Sequence, residues 1–257
     1  MARKTGKTIA IITLSWDCNY HFFNLFKSLK EKTKNNFAMT VFDNGSDNET
    51  FSELMNFLSK DKNHYVIRSE TNLGFAKGNN KAVQYVLAEV DADYVFFINA
   101  DISLLEDKWD EKMLKVFDEK ENVGVVGAGL FPVNWDSNAN FILDRQANKL
   151  TECQTVQGSL FCMKIDVVKE VIAKRGYFMD EDFSPAFHEE SEMMIYLLEN
   201  GYRNYWVPVD HFHDSMASPT KKHAYKIDEK CGNYKEYQEL KQKHRILLHN
   251  KHKEFFY

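Results

Sequence analysis

The sequence of 257 residues is 44% hydrophobic and 14% aromatic, which suffices for one large α/β domain or for a domain with a small appendage. Its formal net charge of -5 lacks the basic excess that nucleic-acid-binding proteins carry. No apolar run approaches the ~18 residues of a membrane-spanning helix. The first such run, residues 9–14, is also too short for a signal-peptide core. The four cysteines form no CxxC pair, so we expect reduced thiols in the cytoplasm and no zinc site.

The first hundred residues alternate between predicted strands and predicted helices. Alternating or continuous apolar runs predict strands, and apolar side chains every three or four residues predict helices. The strands cover residues 8–14, 39–42, 64–68 and 94–98, and the helices cover residues 20–33, 49–58 and 79–90. Strands joined by helices indicate βαβ crossovers and a mainly parallel sheet.

The second half of the chain is less regular. Residues 123–126 and 158–163 have the composition of strands, and residues 166–174 and 189–200 have the spacing of helices. Gly201 stands where a helix C-cap glycine is expected. We therefore predict that the α/β pattern continues with shorter elements.

Polar side chains follow two of the predicted strands directly. Asp43-Asn44-Gly45-Ser46-Asp47 comes after residues 38–42, and Asn99-Ala100-Asp101 comes after residues 94–98. Open α/β sheets bind ligands at the carboxyl ends of their strands. An Asp-Asn-Gly segment is also a common turn, because Asn and Gly tolerate positive φ. Taken together, the two segments predict a nucleotide site completed by a metal ion.

Several further segments give the chain a resemblance to the glycosyltransferase family 2 enzymes of GT-A fold, particularly their bacterial rhamnosyltransferase-like branch. The segments that carry it occur in order between residues 9 and 218: Thr13-Leu14-Ser15-Trp16, Asp43-Asn44-Gly45-Ser46-Asp47, Asn72-Leu73-Gly74-Phe75-Ala76-Lys77-Gly78-Asn79-Asn80, Asn99-Ala100-Asp101, Val156-Gln157-Gly158-Ser159-Leu160-Phe161, Phe187-His188-Glu189-Glu190-Ser191-Glu192, and His213 with Ser218. The resemblance implies a Rossmann-like, mainly parallel sheet flanked by helices. It also implies transfer of a sugar from a nucleotide-diphosphate-sugar to a hydroxyl acceptor, with inversion at the anomeric carbon.

The same resemblance implies where the nucleotide-sugar binds. Asp43 would accept a hydrogen bond from the base or the ribose, and Gly74 and Gly78 would let the backbone approach the ligand closely. The alternative for Asn72 and Gly74 is a turn that leads into a helix, and such turns often carry sites as well. The implied binding residues are Ser15, Asp43, Asn44, Ser46, Asn72, Gly74, Phe75, Asn79, Asn99 and Gly158.

Asp101 is the best candidate for a ligand of Mn²⁺ or Mg²⁺, which prefer oxygen ligands and can neutralise a departing diphosphate. Asn99 departs from the doubly acidic Asp-x-Asp form, so the diphosphate would supply much of the coordination. His211 and His213 form a His-x-His pattern, and both would share one strand face if Phe212 faced the core. The resemblance favours His213 as the ligand or diphosphate contact. A turn N-cap remains the alternative for Asp101.

Inversion requires a carboxylate that takes the proton from the acceptor hydroxyl. The resemblance places this base in Glu189-Glu190-Ser191-Glu192, where the family pattern is Glu-Asp-x-Asp and Glu190 matches the usual base. Because Glu replaces Asp, Glu189 stays a second candidate. Glu192 is expected to contact the acceptor or an arginine. Alternatively, the acidic residues only complement the dipole of a helix N-terminus.

We divide the chain into a catalytic domain, residues 1–218, and a helical extension, residues 219–257. The extension has ten Lys or Arg against five acidic residues, a net charge of +5, and ends Phe255-Phe256-Tyr257. It could lie on an anionic membrane surface or pack against the domain. The expected partners are a UDP-, dTDP- or GDP-linked sugar and a saccharide or lipid-linked saccharide acceptor, with no nucleic acid. The expected setting is the cytoplasm or the inner face of the cytoplasmic membrane, in bacterial surface polysaccharide or glycolipid synthesis.

Two other functions remain open from the sequence. A sugar nucleotidyltransferase also joins an α/β nucleotide site to a metal, but it needs a Gly-rich basic loop after the first strand. Ser15-Trp16-Asp17-Cys18-Asn19 offers none. The second alternative is a relative that binds nucleotide-sugars without turning them over. The presence of Asp43, Asp101, Glu190 and His213 argues against it.

Overall fold

The computed structural model describes residues 7–214 and 234–256, with side chains in the second range from Gln238 onward. Ser218, Cys231 and the start of the predicted extension lie outside these ranges. The other three cysteines, Cys18, Cys153 and Cys162, are buried and free. No helix within the described ranges is long and apolar enough to cross a membrane.

Strands and helices follow one another along the chain much as the periodicity predicts. The strands are β1 (Ile9–Ser15), β2 (Phe37–Asn44), β3 (His64–Ser69), β4 (Tyr94–Ile98), β5 (Ile102–Leu104), β6 (Val123–Gly127), β7 (Pro132–Trp135), β8 (Phe141–Leu143), β9 (Thr151–Cys153), β10 (Thr155–Val156), β11 (Leu160–Lys164), β12 (Arg203–Trp206) and β13 (His211–His213). The helices are α1 (Asn19–Lys32), α2 (Asn48–Leu58), α3 (Phe75–Glu89), α4 (Trp109–Glu119), α5 (Ile165–Arg175), α6 (Glu189–Glu199), α7 (Tyr234–Lys251) and α8 (Lys253–Phe256), with a short 3-10 turn at Glu181–Phe183.

Eight strands form one central sheet in the order β3-β2-β1-β4-β11-β6-β12-β9. The four strands β3, β2, β1 and β4 run parallel to one another, as βαβ crossovers require. β11 then runs antiparallel to both β4 and β6, while β12 is parallel to β6. The prediction of a mainly parallel α/β sheet is confirmed. The antiparallel insertion of β11 gives the sheet its mixed character.

Alternate residues of each buried strand face opposite layers of helices. In β1, Ile9 and Ile11 join a core cluster that includes Phe22 of α1 and Trp109 of α4. Ala10 and Ile12 join a second cluster with the apolar faces of α3, α5 and α6. The sheet therefore lies between two helical layers, which is why its central strands are apolar throughout.

A third apolar cluster attaches the C-terminal helices to the domain. Leu248 of α7 and Phe256 of α8 are buried together with Trp135 of β7, Phe183 and Ile195 of α6. Arg245 of α7 also donates a hydrogen bond to the Asn140 side chain. The described part of the extension thus packs against the domain, one of the two arrangements that the sequence left open.

Several elements differ from those predicted by sequence: strands β5, β7, β8, β9, β10 and β12 were not predicted, and two helices also depart from the prediction. α3 begins at Phe75, four residues before the predicted start, with Gly74 as its N-cap. α4 was not predicted, although Trp109, Met113, Val116 and Phe117 have helical spacing. Its N-cap residue, Lys108, makes no capping side-chain hydrogen bond, so the usual start signal is missing.

Candidate active site

The carboxyl ends of the parallel strands line up at one edge of the sheet. Ser15 at the end of β1 is in register with Asp43 of β2, and Asp43 is in register with Arg68 of β3. The sequence therefore brings three polar side chains from three strands into one row. This row lies where open α/β sheets bind their ligands.

Asp43 is the most deeply buried charged side chain in this row. It is 0% exposed, and its Oδ2 atom lies 3.3 Å from Nε of Arg68. Within the described residues neither of its carboxylate oxygens makes a hydrogen bond. Burial raises the pKa of Asp43, and the nearby Ser46 and the charge of Arg68 only partly oppose the effect. A buried acceptor of this kind suits a donor group supplied by a ligand.

Asn44 organises the neighbouring segment. Its Nδ2 donates to Oδ1 of Asn72 and to the carbonyl of Gly74, and its Oδ1 accepts from the backbone N–H of Leu73. The Asn72 side chain also accepts from the Gly74 N–H. The amide of Asn44 is therefore engaged within the protein, and its role is to hold the 72–74 segment against the end of β2.

Gly45 explains how closely these two segments approach. Its φ is +84°, and a Cβ added there would lie 2.4 Å from the carbonyl carbon of Thr71. Only glycine fits this contact without moving the backbone. The approach brings Asn72, whose side chain is exposed, beside the β2 end.

Asp17 belongs to the same edge and was missed by the sequence reasoning. Its backbone N–H donates to Oγ of Ser46, and its Oδ1 accepts from the N–H of Asp47. Its φ of 48° turns the chain sharply after β1. An acidic residue just after a buried strand is the same signal that identified Asp43, so the sequence did contain it.

The glycine at position 78 lets two elements pack closely. Gly78 lies within α3, and a Cβ there would meet Cδ2 of Leu14 at 2.7 Å. Its small size lets α3 pack on β1, and the expected approach of its backbone to a ligand stays a prediction. Asn79 is likewise buried in α3, where its amide donates to the carbonyl of Phe75.

Phe75 connects the start of α3 to the loop before α6. Its side chain is half-buried, and its backbone N–H donates to the carbonyl of Pro185 at 2.9 Å. A Cβ at Gly74 would lie 2.9 Å from Oγ of Ser184, so the two loops touch. The start of α3 and the start of α6 are thus held next to each other.

Antiparallel β11 returns the chain to the same edge. The N–H of Asn99 donates to the carbonyl of Ser159 at 2.9 Å, and Leu160 pairs with Ile98. Gly158 therefore lies beside the Asn99-Ala100-Asp101 segment. Asn99 is half-buried and Asp101 is 8% exposed.

The structure brings Asp101 and His213 together. β13 pairs with β5 so that His213 is opposite Ile102, and Nε2 of His213 lies 3.4 Å from Oδ1 of Asp101. The buried Nδ1 of His213 has no hydrogen-bond partner among the described residues. Phe212 is 57% exposed, so it does not face the core as considered from the sequence. The two histidines flanking it are half-buried on the opposite face.

These side chains fit a divalent cation that is also coordinated by other groups. A carboxylate oxygen and an imidazole nitrogen 3.4 Å apart can share one ion, since such ligand bonds are about 2.0–2.2 Å long. Within residues 7–214 and 234–256, no three His, Cys, Asp or Glu side chains converge as a metal site. Two protein ligands are consistent with the expectation that a bound diphosphate supplies the rest.

Glu190 lies directly over Gly158. A Cβ at Gly158 would be 2.8 Å from Cγ and 3.1 Å from Oε1 of Glu190, so glycine leaves room for this carboxylate. Glu190 is half-buried, and burial raises its pKa, although the N–H of Gly158 hydrogen-bonds to the carboxylate and opposes the effect. A carboxylate with a raised pKa in a partly open position suits a general base.

Glu189 differs from Glu190 in its exposure. It is 1% exposed, and its Oε2 has no hydrogen-bond partner among the described residues. Burial, followed by the neighbouring charge of Glu190, raises the pKa of Glu189 well above its ordinary value. Of the two carboxyl groups, Glu189 is the more buried and has its pKa raised further, so Glu190 is the better-placed acceptor of a proton.

Glu192 contacts an arginine, one of the two contacts expected of it. Both of its carboxylate oxygens accept from Nη2 of Arg175 at 2.6 Å, and both side chains are nearly fully buried. Arg175 ends α5, so this ion pair ties the first turn of α6 to the preceding helix.

The sheet edge thus holds a buried carboxylate, a carboxylate–histidine pair and a third carboxylate over a glycine, at the strand ends where α/β sheets bind ligands. Residues 24–157, just over half of the chain, match the sequence profile of glycosyl transferase family 2. The chain belongs to glycosyl transferase family 2.

One curated relative is the low-salt glycan biosynthesis hexosyltransferase Agl10 from Haloferax volcanii. It is 30% identical over 115 residues, which cover 45% of this chain and 33% of the relative. The match therefore spans about a third of that protein.

Solved glycosyltransferase structures share the fold. GalNAc-T7 with UDP, GalNAc and Mn²⁺ matches with a TM-score of 0.65 at 12% identity, over 82% of this chain and 44% of that one. The mannosyltransferase PcManGT of Pyrobaculum calidifontis with GDP-Man and Mn²⁺ matches with a TM-score of 0.60 at 13% identity, over 80% of this chain and 56% of that one. TarS of S. aureus matches with a TM-score of 0.55 at 14% identity, over 78% of this chain and 60% of that one. These likenesses confirm the GT-A fold.

Proposed function

We propose that this protein is an inverting, metal-dependent glycosyltransferase that moves a sugar from a nucleotide-diphosphate-sugar to a hydroxyl acceptor. The observation that carries the proposal is the position of Glu190. Its carboxylate lies over Gly158, and Gly158 adjoins the strand end that presents Asp101. A candidate base and a candidate diphosphate-binding carboxylate thus share one sheet edge.

The donor nucleotide would bind at the ends of β1, β2 and β3. Asp43 offers a buried acceptor for an N–H or O–H of the base or ribose, and Arg68 limits the charge cost of keeping it there. The exposed amide of Asn72 and the half-buried ring of Phe75 line the side formed by α3. UDP-, dTDP- and GDP-linked sugars each carry suitable donor groups. Asn44 and Ser46 support this pocket from within the protein.

Asp101 and His213 would hold a divalent cation next to the diphosphate, with Asn99 close by. When bound, Mn²⁺ or Mg²⁺ stabilises the negative charge that develops on the leaving nucleotide. Asp101 contributes the charged ligand, and the β5–β13 pairing fixes His213 opposite it. Two of the related structures are complexes with Mn²⁺, which supports the choice of ion.

Glu190 would accept the proton of the acceptor hydroxyl while that oxygen attacks the anomeric carbon. A single displacement of this kind inverts the configuration and needs one base on the face opposite the leaving group. Glu189, which is more deeply buried and has its pKa raised further, would hold a proton more readily than Glu190 and leave Glu190 to act as the base. A saccharide or lipid-linked saccharide supplies the hydroxyl, and bacterial surface polysaccharide or glycolipid synthesis at the inner face of the cytoplasmic membrane is the setting we propose.

The decisive experiment substitutes Glu190→Gln, which keeps size and hydrogen bonding but cannot accept the proton. We expect kcat to fall by about 10²–10⁴ with nearly unchanged donor affinity, since only a transition-state interaction is lost. Donors are first found by thermal stabilisation with UDP-glucose, UDP-N-acetylglucosamine, dTDP-rhamnose and GDP-mannose in Mn²⁺, because a ligand selective for the native state raises Tm.

Glu189→Gln is the matched control, and it should retain most of the activity. Loss of activity in Glu189→Gln with an active Glu190→Gln would move the base by one residue. Two active variants would show that the acidic cluster only caps α6 and that the acceptor is activated elsewhere.

A further inference from the structure

A buried network of charged side chains joins the C-terminal helices to the helix that carries Glu190. His252, between α7 and α8, is 6% exposed. Its Nδ1 lies 2.8 Å from Oε2 of Glu199 and its Nε2 lies 3.3 Å from Oε1 of Glu192. Both glutamates belong to α6, one at each end.

The geometry favours a charged imidazole. Both partners of His252 are carboxylates, and a neutral ring could donate to only one of them. Burial opposes the charge, but the two carboxylates outweigh it, so the pKa of His252 is raised above its ordinary value of 6.5. Arg175 on α5 faces the network through Glu192. Lys251 on α7 points instead to Asp180 and Asp182.

The network reaches the first turn of α6. Glu192 is two residues beyond Glu190, and its backbone N–H donates to the carbonyl of His188, which begins the helix. Glu192 is therefore fixed from two sides, by the guanidinium of Arg175 and by the ring of His252. The carboxylate of Glu190 accepts hydrogen bonds from the backbone N–H groups of Gly158 and of its own turn, so its position over Gly158 depends on how firmly this turn is held.

We propose that His252 is a positioning residue of the transfer reaction: as an imidazolium it pins Glu192, and so holds the first turn of α6 in the register that sets Glu190 over Gly158. This inference rests on the proposed function, in which Glu190 is the base. It gives the C-terminal extension a part in the chemistry, although the extension does not touch the reacting atoms.

The first test compares the full-length wild type with His252→Gln in Mn²⁺. The probe reaction is hydrolysis of whichever of the four nucleotide-sugars stabilises the protein. Its rate is measured as the release of nucleoside diphosphate. We expect kcat of His252→Gln to fall about ten- to hundredfold, with donor KM changed less than about twofold, because a displaced base costs rate and not binding. His249→Gln, one turn earlier on α7, is the matched control and should keep the wild-type kcat.

The pH profile separates positioning from simple stabilisation of the fold. A raised pKa means that the docked imidazolium is fully present at low pH and is lost as the pH rises through the pKa of His252. Wild-type kcat should therefore fall on the alkaline side. Glu199→Gln removes one of the two carboxylates, so it should move this fall to lower pH and leave the kcat plateau below it unchanged. This variant keeps the test valid even if His252→Gln does not fold.

Each of the following results would overturn the proposed positioning role of His252. It fails if folded His252→Gln has the wild-type kcat, if donor KM rises in parallel, if His249→Gln loses as much, or if Glu199→Gln leaves the alkaline fall in place. In a Glu190→Gln background, His252→Gln should add no further loss, and an additive loss also overturns it. If Glu190→Gln alone is fully active, the proposed base is wrong whatever His252 does, so the two failures are distinguishable.

Discussion

At the scale of single residues, a substitution of Asp101 tests the proposed cation site most directly. We expect Asp101→Asn to lower turnover about a hundredfold or more and to weaken donor binding in Mn²⁺, because several kcal/mol of charge stabilisation are lost. Steady-state kinetics and calorimetric titration with UDP measure the two effects. Asp107→Asn, a neighbouring carboxylate whose side chain is 72% exposed, is the control and should change neither. Near-normal turnover in folded Asp101→Asn would exclude Asp101 as the cation ligand, and so would donor binding that EDTA leaves unaffected.

The pH dependence of the base is a second prediction at this scale. Burial raises the pKa of Glu190 above its ordinary value of 4.5, and only the ionised carboxylate can accept a proton. The rate should therefore fall as pH decreases through this raised pKa, with its midpoint above 4.5. A kcat profile for the wild type and Glu189→Gln should show this acid limb, whereas the residual rate of Glu190→Gln should not. An acid limb that survives in Glu190→Gln would assign it to another group.

The sequence predicts the carboxylates at the strand ends, but it does not predict which neighbouring residues contact a ligand and which only hold the local structure. Asp43 and Asp101 follow runs of buried apolar residues, a local signal that needs no knowledge of the fold. Whether Asn44 contacts a ligand or holds Leu73 depends on a segment almost thirty residues away. The distance between Glu190 and Gly158 likewise depends on packing between α6 and β11. Such contacts are set by tertiary structure, so local patterns do not contain them.

At the scale of elements, one buried carboxylate fixes the start of α4. Asp110 is 0% exposed and accepts from the backbone N–H groups of Lys34 and Asn35 and from the Asn35 side chain. These bonds tie α4 to the segment that follows α1. No local pattern predicts these contacts, since the residues are 75 or 76 positions apart.

Asp110→Ala should therefore destabilise the fold strongly. The substitution removes three hydrogen bonds to a charged group and leaves the backbone donors without a partner, so we expect a loss of about 2–4 kcal/mol in the free energy of unfolding. Urea denaturation measures it. Asp107→Ala, whose exposed side chain pairs with Lys32, should leave the unfolding midpoint unchanged. Equal midpoints for the two variants would show that the Asp110 bonds do not stabilise the protein.

At the scale of the whole molecule, the site is assembled from both halves of the chain. The parallel half supplies the row from Ser15 to Arg68, a pattern that the βαβ periodicity predicts well. The second half supplies Gly158, Glu190 and His213 through antiparallel β11, the start of α6 and the β5–β13 pair. Periodicity identifies β11 and α6 but not the direction of pairing, which depends on contacts far apart in the sequence. The resemblance to a family was therefore needed to join the two halves into one site.

The C-terminal extension gives the last prediction, because the two roles considered for its aromatic end now have opposite consequences. Phe256 is 5% exposed and packs its ring against Trp135, His249 and Phe255. Phe256→Ala should therefore lower the free energy of unfolding by about 3–5 kcal/mol, the usual cost of truncating a buried aromatic side chain. Ile246→Ala on α7, whose side chain is 51% exposed, is the control and should be nearly neutral.

Co-sedimentation with anionic lipid vesicles completes this test. If Phe256 serves packing, any vesicle binding by the wild type must come from the +5 charge of residues 219–257. It should then fade with added salt and persist in folded Phe256→Ala. If Phe256→Ala instead keeps its stability and loses salt-resistant vesicle binding, the ring anchors the protein in lipid. That result would contradict the packing role, and the extension would have to leave the domain at a membrane.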